Sequence, residues 1–171
     1  MEMSILVTGG ARSGKSAFAE RLVEAMPGDP VYIATAEARD DEMSARIAAH
    51  TARRGDRWTT LEAPLDLVAA LQETDGRGPR LVDCLTLWLS NLMLGNARWD
   101  AAADSLAAAL AAQTSPVVLV TNEVGLGIVP DTALGRAFRD AAGSLNHRIA
   151  DAADTVYLVV AGQPMRVKPH A

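Results

Sequence analysis

The feature that most constrains this chain is eight residues long. Gly9-Gly10-Ala11-Arg12-Ser13-Gly14-Lys15-Ser16 fits the pattern G-x-x-x-x-G-K-[ST]. It stands between an apolar run, Ser4 to Thr8 (SILVT), and Lys15 to Met26, where Phe18, Leu22 and Ala25 share one helical face. Strand, glycine loop and helix in that order make a phosphate cradle. The glycines let the backbone wrap closely around phosphate oxygens, successive N–H groups point inward as an anion nest, and the helix adds the positive end of its dipole. The pattern assigns Gly9, Gly10, Ala11, Arg12, Ser13, Gly14, Lys15 and Ser16 to nucleotide phosphates. Lys15 is expected on the β- and γ-phosphates as a catalytic group, with the Ser16 hydroxyl on Mg²⁺.

A parallel strand of this kind needs a covered sheet around it, and the rest of the chain supplies alternating candidates. Apolar strands are expected at Pro30 to Thr35 (PVYIAT), Arg57 to Glu62, Arg80 to Leu85, Val117 to Thr121 and Thr155 to Ala161. Helices are expected at Asp40 to Arg54, Leu65 to Gln72, Leu87 to Leu94, Ala101 to Gln113 and Thr132 to Ala152, the last interrupted near Gly143. Asp40, Asp41 and Glu42 suit the amino end of their helix, and Arg53 and Arg54 its carboxyl end. Continuous apolar strands mean that both sheet faces are covered. The expectation is an α/β fold of the P-loop NTPase (RecA-like) type, a three-layer sandwich with a mostly parallel sheet. The 171 residues fit one domain, with the tail Gln163 to Ala171 unassigned and His170 expected to be disordered.

Composition narrows the function. The net charge is −5 with both signs mixed along the chain, so no basic stripe offers itself to nucleic acid. Cys84 is the only cysteine, which excludes an internal disulfide and suits a reducing compartment. Glu2 and the short run Ile5 to Val7 do not make a signal peptide, and no run approaches the ~20 apolar residues of a membrane helix. A soluble cytoplasmic protein is expected.

A carboxylate beside Mg²⁺ should lie at the end of a neighbouring apolar strand, and Asp83 in Leu81-Val82-Asp83-Cys84 is so placed. An aspartate there can equally cap the next helix. Cys84 reads as a small buried residue rather than a nucleophile. The loop Asn122 to Pro130 carries Gly125 and Gly127. Asn122 and Glu123 in it either face the cleft, binding substrate or ordering a nucleophile, or serve as helix-capping loop residues.

Several segments together resemble one family: ILVTGGARSGKS (Ile5 to Ser16), YIAT (Tyr32 to Thr35), DDEMSARIAAH (Asp40 to His50), WTTLE (Trp58 to Glu62), LVDCLT (Leu81 to Thr86) with Ser90-Asn91-Leu92, VVLVTNEVGLGIVP (Val117 to Pro130), and Phe138 to Asn146. The chain is similar, from about Ile5 to Val160, to the bifunctional adenosylcobinamide kinase / adenosylcobinamide-phosphate guanylyltransferases of cobalamin biosynthesis. The resemblance implies phosphorylation of adenosylcobinamide by ATP or GTP. It then implies transfer of GMP from GTP to the adenosylcobinamide phosphate through a GMP–histidine intermediate, with pyrophosphate released. It places the guanylylated histidine at His50 and further nucleotide contacts at Ala34, Thr35, Ala36, Thr51, Ala52, Arg53, Arg54, Glu62 and Asp83. It also implies Mg²⁺ and a homotrimer. Two positions depart from the family pattern. Ala49-His50 stands where some members have two histidines, and Asp83 where others carry Glu.

Neutral imidazole is a competent nucleophile near pH 7. Met43, Ile47 and His50, at i, i+4 and i+7, share one helix face, with Glu42 and Arg46 able to pair on another. His147 is a weaker candidate. Two other functions fit parts of the pattern. A simple small-molecule kinase would use the cradle and Asp83 but not His50. A regulatory GTPase would carry N-K-x-D, whereas Thr121-Asn122-Glu123-Val124 lacks its lysine and aspartate.

Overall fold

Alternation within each apolar run decides the layers of this protein. The computed structural model describes residues 2–37, 48, 52 and 54–169. The helix expected over Asp40 to Arg54, and with it His50, Thr51 and Arg53, lies largely outside the described residues, as does His170. Ala48, Ala52 and Arg54 are helical.

Seven strands form one sheet: β1 (Ser4–Gly9), β2 (Val31–Ala34), β3 (Thr59–Glu62), β4 (Arg80–Asp83), β5 (Val117–Val120), β6 (Thr155–Val160) and β7 (Gln163–Lys168), in the order β3-β2-β4-β5-β1-β6-β7. All neighbours are parallel except β6 and β7. Successive side chains of a strand point to opposite faces. Ile5, Val7, Tyr32, Leu81, Val118 and Val120 therefore meet Ala19 and Val23 of helix α1 (Lys15–Glu24) on one side. Leu6, Ile33, Val82, Val117 and Leu119 point to the other side. There they pack against α2 (Leu67–Thr74), α3 (Leu85–Leu94), α4 (Trp99–Leu110) and α5 (Ala133–Ala152). The result is the expected three-layer α/β sandwich.

Two sequence expectations change, and the unassigned tail gains a structure. The helix α5 runs unbroken through Gly143, where a Cβ would meet open space, so the glycine costs helix propensity without interrupting it. The tail is ordered through most of its length as β7, an exposed antiparallel edge strand. It is tied back by Arg166 to Glu2 (2.6 Å) and by Lys168 Nζ to the carbonyls of Ala150 and Asp151 (2.9 and 2.8 Å), the carboxyl end of α5. Pro164 is tolerated because an edge strand need not donate on its outer side. Finally, β4 is not next to β1: β5 lies between them, so Asp83 is one strand further from the cradle strand than expected.

The amino-terminal rim of the sheet is fixed by an ion pair between buried Arg80 and half-buried Asp75. Arg80, wholly buried, reaches Asp75 (3.1 Å) and donates to the carbonyls of Leu71 (3.1 Å) and Ser115 (2.5 Å). Asp75 also accepts from the backbone of Thr114 and Ser115 and from the Thr114 hydroxyl. Burial alone would raise its carboxyl, but these donors and Arg80 outweigh that and hold it below the usual carboxylate range. The opposite, carboxyl-terminal rim carries the loops, where ligands of parallel sheets bind.

Candidate active site

The cradle closes around its own lysine. Gly14 is the N-cap of α1 at φ 92°, and Arg12 sits at φ 54°, so the loop uses left-handed backbone where glycine is favoured and once where it is not. The Gly10 carbonyl accepts from Ser13 N (3.3 Å) and from Lys15 Nζ (3.0 Å). The ammonium thus lies across the loop mouth on a side chain only 8% exposed. Gly10, Ala11, Arg12 and Gly14 are exposed, and Ser13 and Ser16 are half-buried. Ser13 Oγ is buried without a hydrogen-bond partner. A Cβ on Gly9 would fall 2.6 Å from the Val159 carbonyl oxygen and 2.7 Å from Ser13 Oγ, so only glycine fits.

Sheet register brings other sequence-assigned residues into a row. Ala34 pairs with Glu62 of β3 on one side and Asp83 of β4 on the other, while Asp83 pairs with Val120 of β5. Asp83 follows Leu81 on the α1 face, the side from which Ser16 enters in the first turn of that helix. Beyond the row, Thr35 Oγ1 accepts from Cys84 N (2.7 Å) and donates to the Cys84 carbonyl (2.8 Å). Asn91 Nδ2 holds the Thr35 and Pro64 carbonyls at 2.9 and 3.0 Å. Thr35 and Ala36 are thereby fixed beside Asp83, and Glu62 is exposed at the strand end. The Asp83–Cys84 peptide is cis.

These groups lie close enough to act on one another's charge. Burial, then the Asp83 carboxylate, push the Cys84 thiol up to about 11, while Lys15 pulls the other way. Cys84 is therefore a protonated buried thiol at neutral pH, not a nucleophile. Burial and Asp83 also push the Tyr32 phenol well above its usual value, against the Arg54 charge. Arg54 stacks over that ring at 3.4 Å. It lines a depression with Glu24, Pro30 and Trp58, near the last turn of α1 and the start of β2. Ten residues of helix, about 14 Å, separate that end of α1 from the cradle, so Arg54 stands apart from it. Ala52 is exposed.

The structure divides the pair Asn122 and Glu123. Asn122 is engaged by its neighbours: it bonds Thr86 Oγ1 through its backbone N (2.9 Å) and Nδ2 (3.0 Å), and its carbonyl accepts from Asn146 (3.1 Å). Asn146 in turn accepts from Thr121 Oγ1 at 2.7 Å. This is a scaffold joining the first turn of α3 and the end of β5 to α5. Glu123 instead turns to the cradle strand, accepting from Thr8 Oγ1 (2.5 Å) and donating its N–H to the Gly9 carbonyl (3.1 Å). Sequence reasoning did not connect Thr8 with Glu123.

A second unanticipated support is the β6–β7 turn. Ala161 and Gly162 both have positive φ, as a two-residue hairpin requires, and Gly162 N–H donates to the Ser13 carbonyl (2.8 Å). Gly162 packs so close to Gly14 that a Cβ on the latter would lie 3.3 Å away. The Ala-Gly pair between two apolar-containing runs was the available signal for this hairpin. His147 lies on the surface of α5 against Asp151 (3.2 Å), far from any role at the cradle.

For a divalent metal, Ser16 and Asp83 offer a hydroxyl and a carboxylate, hard oxygen donors of the kind Mg²⁺ takes alongside phosphate oxygens and water. Among the described residues, no three His, Cys, Asp or Glu side chains gather as a self-contained metal site. The donor set thus fits an ion that arrives with a nucleotide.

Comparison with known proteins identifies what the chain is similar to. The model of the family described as cobinamide kinase / cobinamide phosphate guanyltransferase matches residues 5–167. The chain is similar to the bifunctional adenosylcobalamin biosynthesis protein CobP of Pseudomonas aeruginosa, with 47% identity over 97% of this chain and 98% of that protein. It is similar to the bifunctional adenosylcobalamin biosynthesis proteins CobU of Salmonella typhimurium (46%) and Escherichia coli (42%), each over 97% of this chain and all of the relative.

Proposed function

The chain belongs to the cobinamide kinase / cobinamide phosphate guanyltransferase family of cobalamin biosynthesis, and we propose that one cradle, Gly9 to Ser16, serves both of its reactions. In the kinase reaction the cradle holds ATP or GTP and the terminal phosphoryl group passes to adenosylcobinamide. In the transfer, GMP passes from GTP to His50 and then to adenosylcobinamide phosphate, giving adenosylcobinamide-GDP and pyrophosphate. The observation that supports this best is Lys15 held across the loop mouth, with Asp83 on the sheet face that α1 covers. An ammonium there meets the phosphate charge that develops in either transfer.

The chain's groups divide the work. Inward N–H groups of residues 10 to 16 bind phosphate oxygens, and Lys15 orients the β- and γ-phosphates. Ser16 and Asp83 would hold Mg²⁺, which supplies charge neutralisation on the phosphates when bound. Ala34, Thr35, Ala36 and Glu62 border the nucleotide along the strand ends, and Thr51, Ala52 and Arg53, next to His50 in sequence, serve the guanylyl side of the reaction, while Arg54 stays stacked on Tyr32. The active form is a homotrimer in the cytoplasm. A cytoplasmic place is compatible with the described helices, none of which is long and apolar enough to cross a membrane.

Mass spectrometry after incubation with GTP and Mg²⁺ tests the reading. Wild type should carry a GMP adduct, His50→Ala none while keeping kinase activity, and Lys15→Ala neither activity. Equal loss of both activities in His50→Ala would mean that the histidine is structural. A kinase active in wild type with no adduct would favour a simple kinase.

A further inference from the structure

The segment after β5 combines rigid attachment with exposed apolar side chains. At one end Glu123 is bound to Thr8 and Gly9 of the cradle strand, and Val124 packs against the core. At the other, Arg136 Nη1 holds the carbonyls of Pro130 and Asp131 (3.1 and 2.9 Å), and the Thr132 hydroxyl caps α5 through Gly135 N (3.0 Å). Gly135 is pressed against Pro130, where a Cβ would come within 2.7 Å. Between these anchors Leu126, Ile128, Val129 and Leu134 are 80%, 97%, 61% and 62% exposed. Contiguous exposed apolar side chains of this kind mark a binding surface rather than an accident of folding.

We propose that this segment is the acceptor side of the site: Glu123 takes the proton of the hydroxyl being phosphorylated, and Leu126, Ile128, Val129 and Leu134 bed a face of the corrin ring. The inference rests on the kinase activity above and adds the substrate contacts to it. Among the described residues Thr8 is the one side chain bonded to the Glu123 carboxylate, through Oε1, which leaves Oε2 to accept from a ligand. The acceptor is a flat macrocycle with methyl groups on its faces and a pendant hydroxyl. Such a ligand needs an open apolar platform beside the phosphate, and this loop leaves the sheet at the strand next to the cradle strand. A second copy of the chain is the other occupant such a surface could take, and a change of mass in the test below distinguishes it.

The step balances. The hydroxyl oxygen attacks the terminal phosphorus, and the new O–P bond forms as the bond to the bridging oxygen breaks. That electron pair leaves on the nucleoside diphosphate. The hydroxyl proton passes to Glu123 Oε2 and on to water when the products depart.

Two variants test it: Glu123→Gln, and the surface double substitution Leu126→Ser with Ile128→Ser. For each, kcat and KM are measured for adenosylcobinamide and for GTP, with the GMP adduct formed without acceptor and the mass in solution. Glu123→Gln should lower kcat of phosphorylation about 100-fold or more while KM values and the adduct stay as in wild type. The double variant should raise KM for adenosylcobinamide roughly tenfold, leaving KM for GTP and the mass unchanged. An unchanged corrinoid KM overturns the platform, as does a change of mass, which would make the loop a contact between copies. Unchanged kcat in Glu123→Gln, or parallel loss of the adduct, overturns the role of the carboxylate. Presence of the adduct on wild type reports separately on the histidine reading.

Discussion

Replacing Thr35 by valine probes how the sheet edge holds Asp83. Thr35 is wholly buried, and valine matches its volume, so no cavity forms. What disappears is the hydroxyl bridging the two backbone groups of Cys84, at 2.7 and 2.8 Å. The Cys84 carbonyl keeps a second donor, Trp88 N at 3.1 Å, but Cys84 N–H is left buried without its acceptor. A stranded buried donor costs about 1–3 kcal/mol. For a domain of this size that lowers the melting temperature by roughly 2–12 °C. Cys84 follows Asp83 directly, so relaxation there displaces the proposed metal carboxylate. The Mg²⁺ concentration for half-maximal kinase activity should rise. Thr35→Ser keeps the bridge and loses one methyl, about 1 kcal/mol, with the metal requirement of wild type. Urea denaturation and a Mg²⁺ titration measure both effects. Valine variant stability within 0.5 kcal/mol of wild type (about the scatter of surface substitutions), at the same metal requirement, would refute the bridging role.

Asp83→Asn should raise the Mg²⁺ requirement about tenfold or more with little loss of stability; an unchanged titration would remove Asp83 from the metal site. Asp75→Asn should cost about 1–3 kcal/mol at pH 7, because Arg80 keeps its carbonyl partners but loses its counter-charge. The Asp75 carboxyl is depressed in the folded chain, so its contribution is full above the unfolded carboxylate pKa of about 4 and fades as pH falls through the folded value. Wild type and variant should therefore converge in stability below pH 4, and a constant gap would contradict the pairing. Ala161→Asn should stabilise by about 0.5–1 kcal/mol, since Ala161 holds φ 49° and asparagine tolerates that region better. A destabilised but active variant would show that the turn is not of the expected type.

Much of the fold was legible because β1, β2, β4 and β5 are short, mostly apolar runs buried on both sides, a pattern that a parallel sheet imposes on sequence. The cradle was legible because its chemistry needs glycine, lysine and a hydroxyl at fixed spacing. The edge strand β7 left a weaker trace: it is exposed, contains Pro164, and is defined by its turn and by contacts to Glu2 and α5. Gly143 does not interrupt α5, because its helix-propensity cost is small and packing of Ala141, Ala142 and Leu145 overrides it.

By itself the sequence determined what depends on local spacing: a phosphate-binding loop between strand and helix, a carboxylate at a strand end, and membership of one enzyme family. Only the tertiary structure decided which strands are neighbours. It set β5 between the cradle strand and Asp83, turned Glu123 toward Thr8, tied Asn122 to Thr86, and brought Gly162 against Gly14 of the loop. Those relations come from sheet order and close packing, which join residues remote in sequence and so leave no periodic mark on it.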